Sequence, residues 1–491
     1  MNMRYLGTLL LCALSLGLQA QTLQTYVQNR IKVPALQGAW WGGFASYATN
    51  PQDEIFTVQA DTRLTPASTL KLLTTAAALH LLGPHHRFET KLYASALPDS
   101  NGILNGDLIL QGGGDMTLGS RRVSGAQSYE TVLKQWVHAV QKAGIKKING
   151  NIYADVSLFE GPAIADKVNW ENMGNYYAAP ASALCFNDNL FSIHFKGELT
   201  GGKLTEVAAI EPQIPGVEIQ NFVTTDAKSK KDNAYVYGAP DQYNLKIFGS
   251  IPTTLTGFTI RAAMPNPALF ALQALQQTLI EKGVEVSGTP QVLAQAPDYG
   301  RLELLDTYKS PELKDIVVIV NKRSFNLYAD MLLRHLALAK GLPGSIQNGL
   351  NALNDFLVTN KIAGTLDTKI YDGSGLSRDN MLTPRVLVNT LNFMASSPHF
   401  EYYYKSLATP DDRGDLLVLR RFLKPKHQVG DVRIKGGTID GVKAVAGYVH
   451  DKDGRLVSFA MMANNLVTRD ETLWRAHEDI IKELLNLKST R

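Results

Sequence analysis

The stretch TPASTLKLLTTAAALHLLGP, residues 65–84, carries the strongest local signals in this sequence. Thr65 is of a residue type favoured at helix N-caps, and Pro66 is favoured at the first helical position. An alanine- and leucine-rich run continues to Leu82, where a Gly-Pro pair stops it. The stretch therefore predicts a helix that is capped by Thr65 and ends at Leu82.

Ser68 and Lys71 form a Ser-x-x-Lys pattern within this predicted helix. Residues three apart share a helix face, so the Lys71 amine can reach the Ser68 hydroxyl. The positive end of the helix dipole favours an alkoxide and disfavours a protonated lysine, as a serine nucleophile with a lysine base requires. A chance match is the alternative, since about one or two are expected at average composition. This is the only Ser-x-x-Lys in the sequence.

Length and composition exclude several classes of protein. At about 100–200 residues per domain, a chain of 491 residues is expected to hold two to four domains. The net charge is only +4, which is not the basic footprint of a nucleic-acid-binding protein. Two cysteines cannot build a disulfide scaffold or a four-thiolate metal site.

The first twenty residues have the features of a signal peptide. Arg4 gives a short positive start, residues 6–18 are mostly apolar, and Ala20 is the small residue that signal peptidase prefers. Nothing later reaches 18 consecutive apolar residues, so no transmembrane span is predicted. We therefore expect residues 1–20 to be removed on export, which leaves Cys185 as the one cysteine of a periplasmic or otherwise extracytoplasmic protein.

The spacing of apolar residues changes along the chain. Residues 39–59 alternate around Asn50–Asp53 and predict a β-hairpin, whereas later short strands surround one helix at 126–143. Further helices are predicted at 268–283, 311–320, 325–340, 345–359 and 383–396. Three strands are predicted at 431–436, 443–450 and 455–463, before a final amphipathic helix.

This pattern divides the mature chain into two regions. We expect residues 21–92 and 265–491 to form one α/β domain, and residues 93–264 to be a β-rich insertion of two nested modules. An insertion of this length is too long for a structureless loop, so it must hold folded structure.

Three further motifs contain polar groups close together. Ser324-Phe325-Asn326 lies between two predicted helices, where its hydroxyl and amide can relay a proton and anchor a substrate amide; an ordinary N-cap turn is the alternative. Lys435-Gly436-Gly437-Thr438 ends a predicted strand and can bring a cation and a hydroxyl to an anion; a glycine-rich bend is the alternative. Residues 372–378 predict a turn with an exposed charged end.

Taken in order, these motifs resemble those of the D-alanyl-D-alanine carboxypeptidase/endopeptidase family, the low-molecular-mass class C penicillin-binding proteins. The matching segments are Pro66–Lys71, Asn321–Ala329 and Asp372–Arg378. The resemblance covers nearly all of the mature chain and implies a serine peptidase of the penicillin-recognising superfamily. The implied fold is mixed α/β (α+β), a β-lactamase/transpeptidase-like domain whose antiparallel sheet is flanked by helices and which is interrupted by a β-rich inserted region.

The resemblance implies an acyl-enzyme mechanism on peptidoglycan stem peptides. Ser68 would attack the carbonyl of the penultimate D-alanine, and a neutral Lys71 would accept its proton. Backbone N–H groups of Ser68 and Thr438 would form the oxyanion hole, and Gly437 and Thr438 would contact the substrate. No metal or cofactor is implied.

The resemblance also assigns the remaining polar groups. Ser324, hydrogen-bonded between Lys71 and Lys435, would hand a proton to the leaving amine. Asn326 would hold Lys71 and the substrate amide. β-Lactams would acylate the same serine as covalent inhibitors.

Two positions depart from the family pattern. Phe325 stands where the family often has aspartate, at a side chain that takes no part in the chemistry. Gly436 stands where the family has threonine or serine, so binding of the terminal carboxylate would rest on Thr438 and on the charge of Lys435.

Two other functions stay open at this point. A serine β-lactamase would need a deacylating base that the sequence does not identify, and a cell-wall-binding protein with a weakened site would be consistent with Gly436. The sequence also leaves open the oligomeric state and the balance between carboxypeptidase and endopeptidase activity.

Overall fold

The computed structural model describes residues 23–410, 412, 432–467 and 471–488, and the predicted signal peptide lies outside these ranges. The described chain separates into two compact units. The first unit holds the residues up to Pro84, Val317–Phe325 and the residues from Leu350 onward; the second holds His85–Ile316 and Asn326–Gly349. No helix in the described ranges is both long and apolar enough to cross a membrane.

Helices and strands are numbered along the described chain. The helices are α1 (23–30), α2 (Lys71–Leu82), α3 (Tyr129–Lys142), α4 (Pro267–Glu281), α5 (Leu313–Lys322), α6 (Asn326–Ala339), α7 (Ile346–Thr359), α8 (Pro384–Ala395), α9 (Phe400–Ser406) and α10 (Glu471–Asn486). The strands are β1 (Trp40–Tyr47), β2 (Asn50–Val58), β3 (Glu89–Ala94), β4 (Ile103–Leu104), β5 (Leu108–Gln111), β6 (Lys147–Ile148), β7 (Ile152–Asp155), β8 (Leu190–Phe195), β9 (Val207–Glu211), β10 (Glu218–Asn221), β11 (Thr224–Asp226), β12 (Tyr235–Tyr237), β13 (Asn244–Phe248), β14 (Ser250–Pro252), β15 (Phe258–Ala263), β16 (Glu285–Val286), β17 (Pro290–Leu293), β18 (Glu303–Lys309), β19 (Thr368–Lys369), β20 (Met381–Leu382), β21 (Val432–Ile439), β22 (Val442–His450) and β23 (Leu456–Asn464).

A five-stranded antiparallel sheet of order β2-β1-β23-β22-β21 organises the first unit. One face of β23 presents Val457 and Phe459 to the apolar side of α10, because alternate residues of a strand point to opposite faces. On the other face, α8 is held by hydrogen bonds such as that from the Tyr448 hydroxyl to the Leu391 carbonyl, 2.7 Å. Helices therefore flank both faces of an antiparallel sheet, and the predicted fold class is confirmed.

The hairpin of β1 and β2 forms as predicted, but its turn lies elsewhere. Tyr47 pairs directly with Asn50, so the chain turns at Ala48-Thr49. The Pro-containing segment after Asn50 lies within β2, where the pairing shifts before Glu54. A proline has no N–H to donate to the ladder, and a bulge accommodates it without losing the strand.

The second unit combines several small sheets with α3 and α4. Its largest sheet has the order β17-β7-β5-β3-β18 and mixes parallel with antiparallel pairs. Three further three-stranded sheets have the orders β15-β8-β9, β10-β13-β12 and β16-β6-β4. Trp136 of α3, Phe186 and Phe270 of α4 pack in the shared core of this unit.

Candidate active site

The segment that carries Ser68 is a tight turn at the start of a helix. Ala67–Leu70 form a 3₁₀ turn, and α2 begins only at Lys71. Thr65 is not its N-cap, which corrects the sequence-based prediction. The Thr65 backbone instead exchanges two hydrogen bonds with the Asn464 side chain, at 2.6 and 3.1 Å, which hold it against β23.

Two glycines lie directly against this turn. A Cβ on Gly437 of β21 would lie 2.7 Å from the Pro66 carbonyl oxygen and 3.0 Å from the Ser68 nitrogen. A Cβ on Gly375, whose φ is +81°, would overlap the Ala67 carbonyl. Only glycine allows these backbones to approach so closely. The end of β21 and the loop around Gly375 therefore fix the position of the Ser68 backbone.

Lys71 is completely buried, and its amine lies beside the Ser68 hydroxyl. The distance from Lys71 Nζ to Ser68 Oγ is 3.1 Å. The same amine donates to the carbonyl oxygen of Ser374 at 2.6 Å. Ser68 itself is partly exposed, so its hydroxyl is open to a ligand while the amine is shielded from water.

The loop that supplies the Ser374 carbonyl is organised by a buried carboxylate. Asp372 accepts hydrogen bonds from the backbone N–H groups of Gly375 and Ser377, both at 2.7 Å, and from Asn380 Nδ2 at 2.9 Å. Burial raises the pKa of Asp372, although these donors and the charge of Lys71 oppose the shift.

The sequence analysis named this loop but did not place it in the site. Its exposed end at Arg378 was predicted, but the contact of its backbone with Lys71 was not. An aspartate ahead of Gly-Ser-Gly is typical of a turn whose backbone is held by the aspartate side chain. That pattern could have indicated an ordered loop here.

A second serine–lysine pair belongs to the first unit. Lys435 of β21 is buried, and its Nζ donates to Ser324 Oγ at 2.9 Å and to the Gly436 carbonyl at 2.7 Å. Ser324 lies in the short connection between α5 and α6 and has a φ of +55°. A positive φ is uncommon outside glycine, and strained residues of this kind cluster at functional sites.

The remaining predicted residues differ in their surroundings. Thr438 is exposed at the end of β21, and its hydroxyl accepts a hydrogen bond from Lys443 Nζ at 3.2 Å. Lys443 was not singled out from the sequence; its ammonium also lies over the Trp474 ring, 5.2 Å from the centroid. Asn326 begins α6 in the second unit, where its Nδ2 donates to the Tyr177 carbonyl at 2.7 Å.

The antiparallel sheet flanked by helices is that of the penicillin-recognising fold, and the chain is a serine peptidase of that class. Within that class the chain belongs to the D-Ala-D-Ala carboxypeptidase 3 (S13) family, whose model matches residues 23–486. The family, the fold class and the enzyme class expected from the sequence are thereby confirmed.

Individual relatives agree with this family assignment. The chain is 27% identical over 457 residues to the D-alanyl-D-alanine carboxypeptidase of Actinomadura sp. (strain R39), covering 91% of this chain and 82% of the relative. It is 26% identical over 429 residues to the D-alanyl-D-alanine carboxypeptidase DacB of Haemophilus influenzae, covering 87% and 86%. The fold is similar to the crystal structure of penicillin binding protein 4 (dacB) from Haemophilus influenzae, with a TM-score of 0.79, 24% identity and coverage of 92% of this chain and 99% of that one.

Proposed function

We propose that this enzyme trims peptidoglycan stem peptides, with Ser68 as its nucleophile and Lys71 as the base. The observation that carries the proposal is the fully buried Lys71 amine, 3.1 Å from the partly exposed Ser68 hydroxyl. A nucleophile and a base within hydrogen-bonding reach, with the base oriented by a third group, are the signature of an activated serine. The Ser374 carbonyl is that third group.

The Ser374 carbonyl supports the neutral form of Lys71 as the base. A neutral amine has two N–H donors and one lone pair. When one N–H donates to the Ser374 carbonyl, the lone pair can turn toward the Ser68 hydroxyl and accept its proton during attack. The new Ser68–carbonyl bond then forms as the proton moves to Lys71 Nζ.

The oxyanion would be bound by the backbone N–H groups of Ser68 and Thr438. The close approach of Gly437 to the Ser68 nitrogen supports this assignment, because Thr438 follows Gly437 directly. Fixed N–H donors stabilise the negative charge that develops on the attacked carbonyl without having to reorganise.

Ser324 would give its hydroxyl proton to the leaving amine and be reprotonated by Lys71, which carries the proton taken from Ser68, while Lys435 stays an ammonium. The Lys435 ammonium donates to Ser324 Oγ, so the Ser324 hydroxyl hydrogen can point away from Lys435 toward a leaving nitrogen. Asn326 would bind the substrate amide. Loss of the terminal D-alanine leaves an ester on Ser68, which water then hydrolyses.

The terminal carboxylate of the stem peptide would bind at the end of β21. Gly436 offers no hydroxyl there, but Thr438 carries one that is hydrogen-bonded to a second cation, Lys443. Together with Lys435 this gives two positive charges for one carboxylate, which supports a substrate with a free C-terminus.

We further propose that the protein is exported and that β-lactams acylate Ser68. The penicillin binding protein 4 of Haemophilus influenzae, with a TM-score of 0.74 and 24% identity to this chain, was solved as a complex with a β-lactam. A β-lactam presents its strained amide to the serine in place of the D-Ala-D-Ala bond.

One labelling experiment tests the function. The purified chain is treated with a fluorescent penicillin, the adduct is followed by intact mass, and release of D-alanine from a soluble acyl-D-Ala-D-Ala peptide is measured in parallel. We expect a stoichiometric, long-lived adduct and release of D-alanine. A short-lived adduct would instead indicate a β-lactamase, and no adduct would indicate a wall-binding protein without acylating activity.

A further inference from the structure

The second unit carries an exposed aromatic surface, formed by Trp170, Phe222, Tyr235, Tyr237 and Phe248, which we call the aromatic platform. Its members come from β12, β13, a 3₁₀ turn that begins at Trp170, and the residue that follows β10. Trp170, Phe222 and Phe248 expose 66%, 48% and 42% of their surface. Apolar rings of this size are normally buried, so an exposed group of them indicates a binding surface.

Strand alternation explains why the rings lie together. Tyr235 pairs with Phe248 and Tyr237 with Lys246 across β12 and β13. The residues between them, such as Val236 and Ile247, are buried in the core of the unit. One face of the sheet therefore supplies the core, and the other presents aromatic rings to solvent.

The rings present faces as well as edges. Phe222 and Phe248 are stacked, with centroids 4.8 Å apart and an angle of 9° between the planes. The rings of Trp170 and Tyr237 are tilted by 47°, with centroids 4.9 Å apart. A groove of about 620 Å³ is lined by Trp170, Tyr237 and Phe248 of the platform, together with residues that include Gln242 and Lys246.

The platform is connected to the candidate catalytic residue Asn326 within the same unit. The Asn175 side chain exchanges hydrogen bonds with the Val236 backbone of β12, at 3.0 and 3.2 Å. Two residues later, the Tyr177 carbonyl accepts the amide of Asn326 at 2.7 Å. One short segment, residues 170–178, therefore joins the platform to the residue proposed to bind the substrate amide.

We infer that the aromatic platform binds the β-1,4-linked N-acetylhexosamine chain to which the stem peptide is attached. The inference rests on the proposed function. The C–H faces of sugar rings carry partial positive charge and pack against the negative faces of aromatic rings. Gln242 and Lys246 supply donors for hydroxyl and acetamide oxygens. Binding of the glycan keeps the attached peptide with the enzyme and so raises its effective concentration.

A saccharide fits this surface better than a protein partner does. Among the described residues, the groove is lined by three aromatic rings, the amide of Gln242, the ammonium of Lys246, the thioether of Met173 and the small residues Gly238 and Ala239. An aromatic groove with a few polar donors suits a chain of rings that have apolar faces and polar edges.

The test compares glycan-linked with glycan-free substrates. Binding of a hexamer of β-1,4-linked N-acetylglucosamine is measured by calorimetry for the wild type, Trp170→Ala, Trp170→Phe, Phe248→Ala and the control Leu97→Ala, which alters an exposed leucine of the same unit. D-Alanine release is measured from sacculi and from a soluble acyl-D-Ala-D-Ala peptide. We expect Trp170→Ala and Phe248→Ala each to raise the Kd about tenfold, and Trp170→Phe to raise it much less.

The two activity assays separate this inference from the proposed function. Activity on sacculi should fall in the two alanine variants by a larger factor than activity on the soluble peptide, and Leu97→Ala should match the wild type in both. The inference is overturned if the wild type does not bind the hexamer, or if the alanine variants bind it equally well. It is also overturned if these variants change only self-association, which would make the platform a protein interface. Absence of a penicillin adduct on the wild type would instead contradict the proposed function, whatever the hexamer does.

Discussion

The two serine–lysine pairs of the first unit are built in opposite ways. Ser68 and Lys71 are three residues apart, and local chain geometry brings the two polar atoms to 3.1 Å. Ser324 and Lys435 are separated by 111 residues and lie 2.9 Å apart only because β21 runs past the connection between α5 and α6. The first pair is a local structure, and the second is a product of tertiary packing.

A residue with a positive φ lies in or directly beside each pair. At the first pair it is Ala67, at +46°, which directly precedes the serine; in the second it is Ser324 itself, at +55°. Such a conformation costs roughly 1–2 kcal/mol in an L-residue and persists only where the surroundings enforce it. Near Ser324 the enforcing contacts include the hydrogen bonds of Asn321 to Thr75, 3.2 Å, and to Ser406, 2.8 Å. Distant packing therefore positions the second serine.

The largest expected effect is at the first pair. Ser68→Ala should abolish the covalent penicillin adduct entirely, because no other group in the pair can form the ester. The free energy of unfolding should change by less than about 1 kcal/mol, since the hydroxyl is partly exposed. Intact mass and denaturant unfolding check both statements. A stoichiometric adduct on the alanine variant would remove Ser68 from the mechanism.

Local patterns predicted much of the fold and the first pair. The helices α6, Asn326–Ala339, and α7, Ile346–Thr359, lie within a residue of their predicted bounds, because helical periodicity reports directly which face is buried. The Ser68–Lys71 contact needed only the three-residue spacing.

Features set by distant residues could not be predicted. A helix was expected from Pro66 onward, whereas α2 starts at Lys71, because Asn464 holds Thr65 from 399 residues away. The Ser374 carbonyl on Lys71 depends on a contact of the same long range. The pairing of Ser324 with Lys435 was expected only from the resemblance to the family, because no local pattern predicts it. The bounds of the inserted region stay a prediction.

The second largest expected effect is at Gly437, whose packing against the backbone of Pro66 and Ser68 is expected to position the first pair. Gly437→Ala would place a methyl group 2.7 Å from the Pro66 carbonyl and 3.0 Å from the Ser68 nitrogen, both of them backbone atoms that cannot rotate away. We expect the rate of penicillin acylation to fall about 100-fold, as small displacements of a reacting group often cause. Gly364→Ala is the control, since its Cβ would meet only a carboxylate oxygen of Asp367 at 3.2 Å. Wild-type acylation in the Gly437 variant would show that β21 does not position the serine.

The third prediction concerns the second pair. Ser324→Ala should slow release of D-alanine by about 100-fold without abolishing it, because general acid catalysis typically contributes 10²–10⁴-fold. Ser324→Gly should be equally slow but more stable than the alanine variant by about 1 kcal/mol, since glycine adopts a positive φ without strain. Stopped-time assays and denaturant unfolding of both variants check this. Equal stability of the two would mean that position 324 holds no strain, and unchanged rates would remove Ser324 from proton transfer.

The smallest expected effect is at Gly436, beside Lys435, where the terminal carboxylate of the substrate is proposed to bind. Gly436→Thr restores a hydroxyl beside Lys435, and a hydrogen bond to a charged group is worth about 1.5–3 kcal/mol. Part of that interaction is already supplied by Thr438, whose hydroxyl is hydrogen-bonded to Lys443 at 3.2 Å. We therefore expect kcat/KM for peptides that end in free D-Ala-D-Ala to rise roughly tenfold, about 1.4 kcal/mol.

Two comparisons show whether this gain comes from the carboxylate. Internal cross-link peptides, which present an amide in that place, should gain much less, with both substrates assayed at one ionic strength because the contact depends on charge. In a Lys443→Met background the gain from Gly436→Thr should be larger, since the existing cationic support of Thr438 is gone. Equal gains on both substrates would mean that position 436 acts through the rigidity of β21. A loss on both would mean that a threonine side chain does not fit beside Lys435 and that the cleft is adapted to glycine.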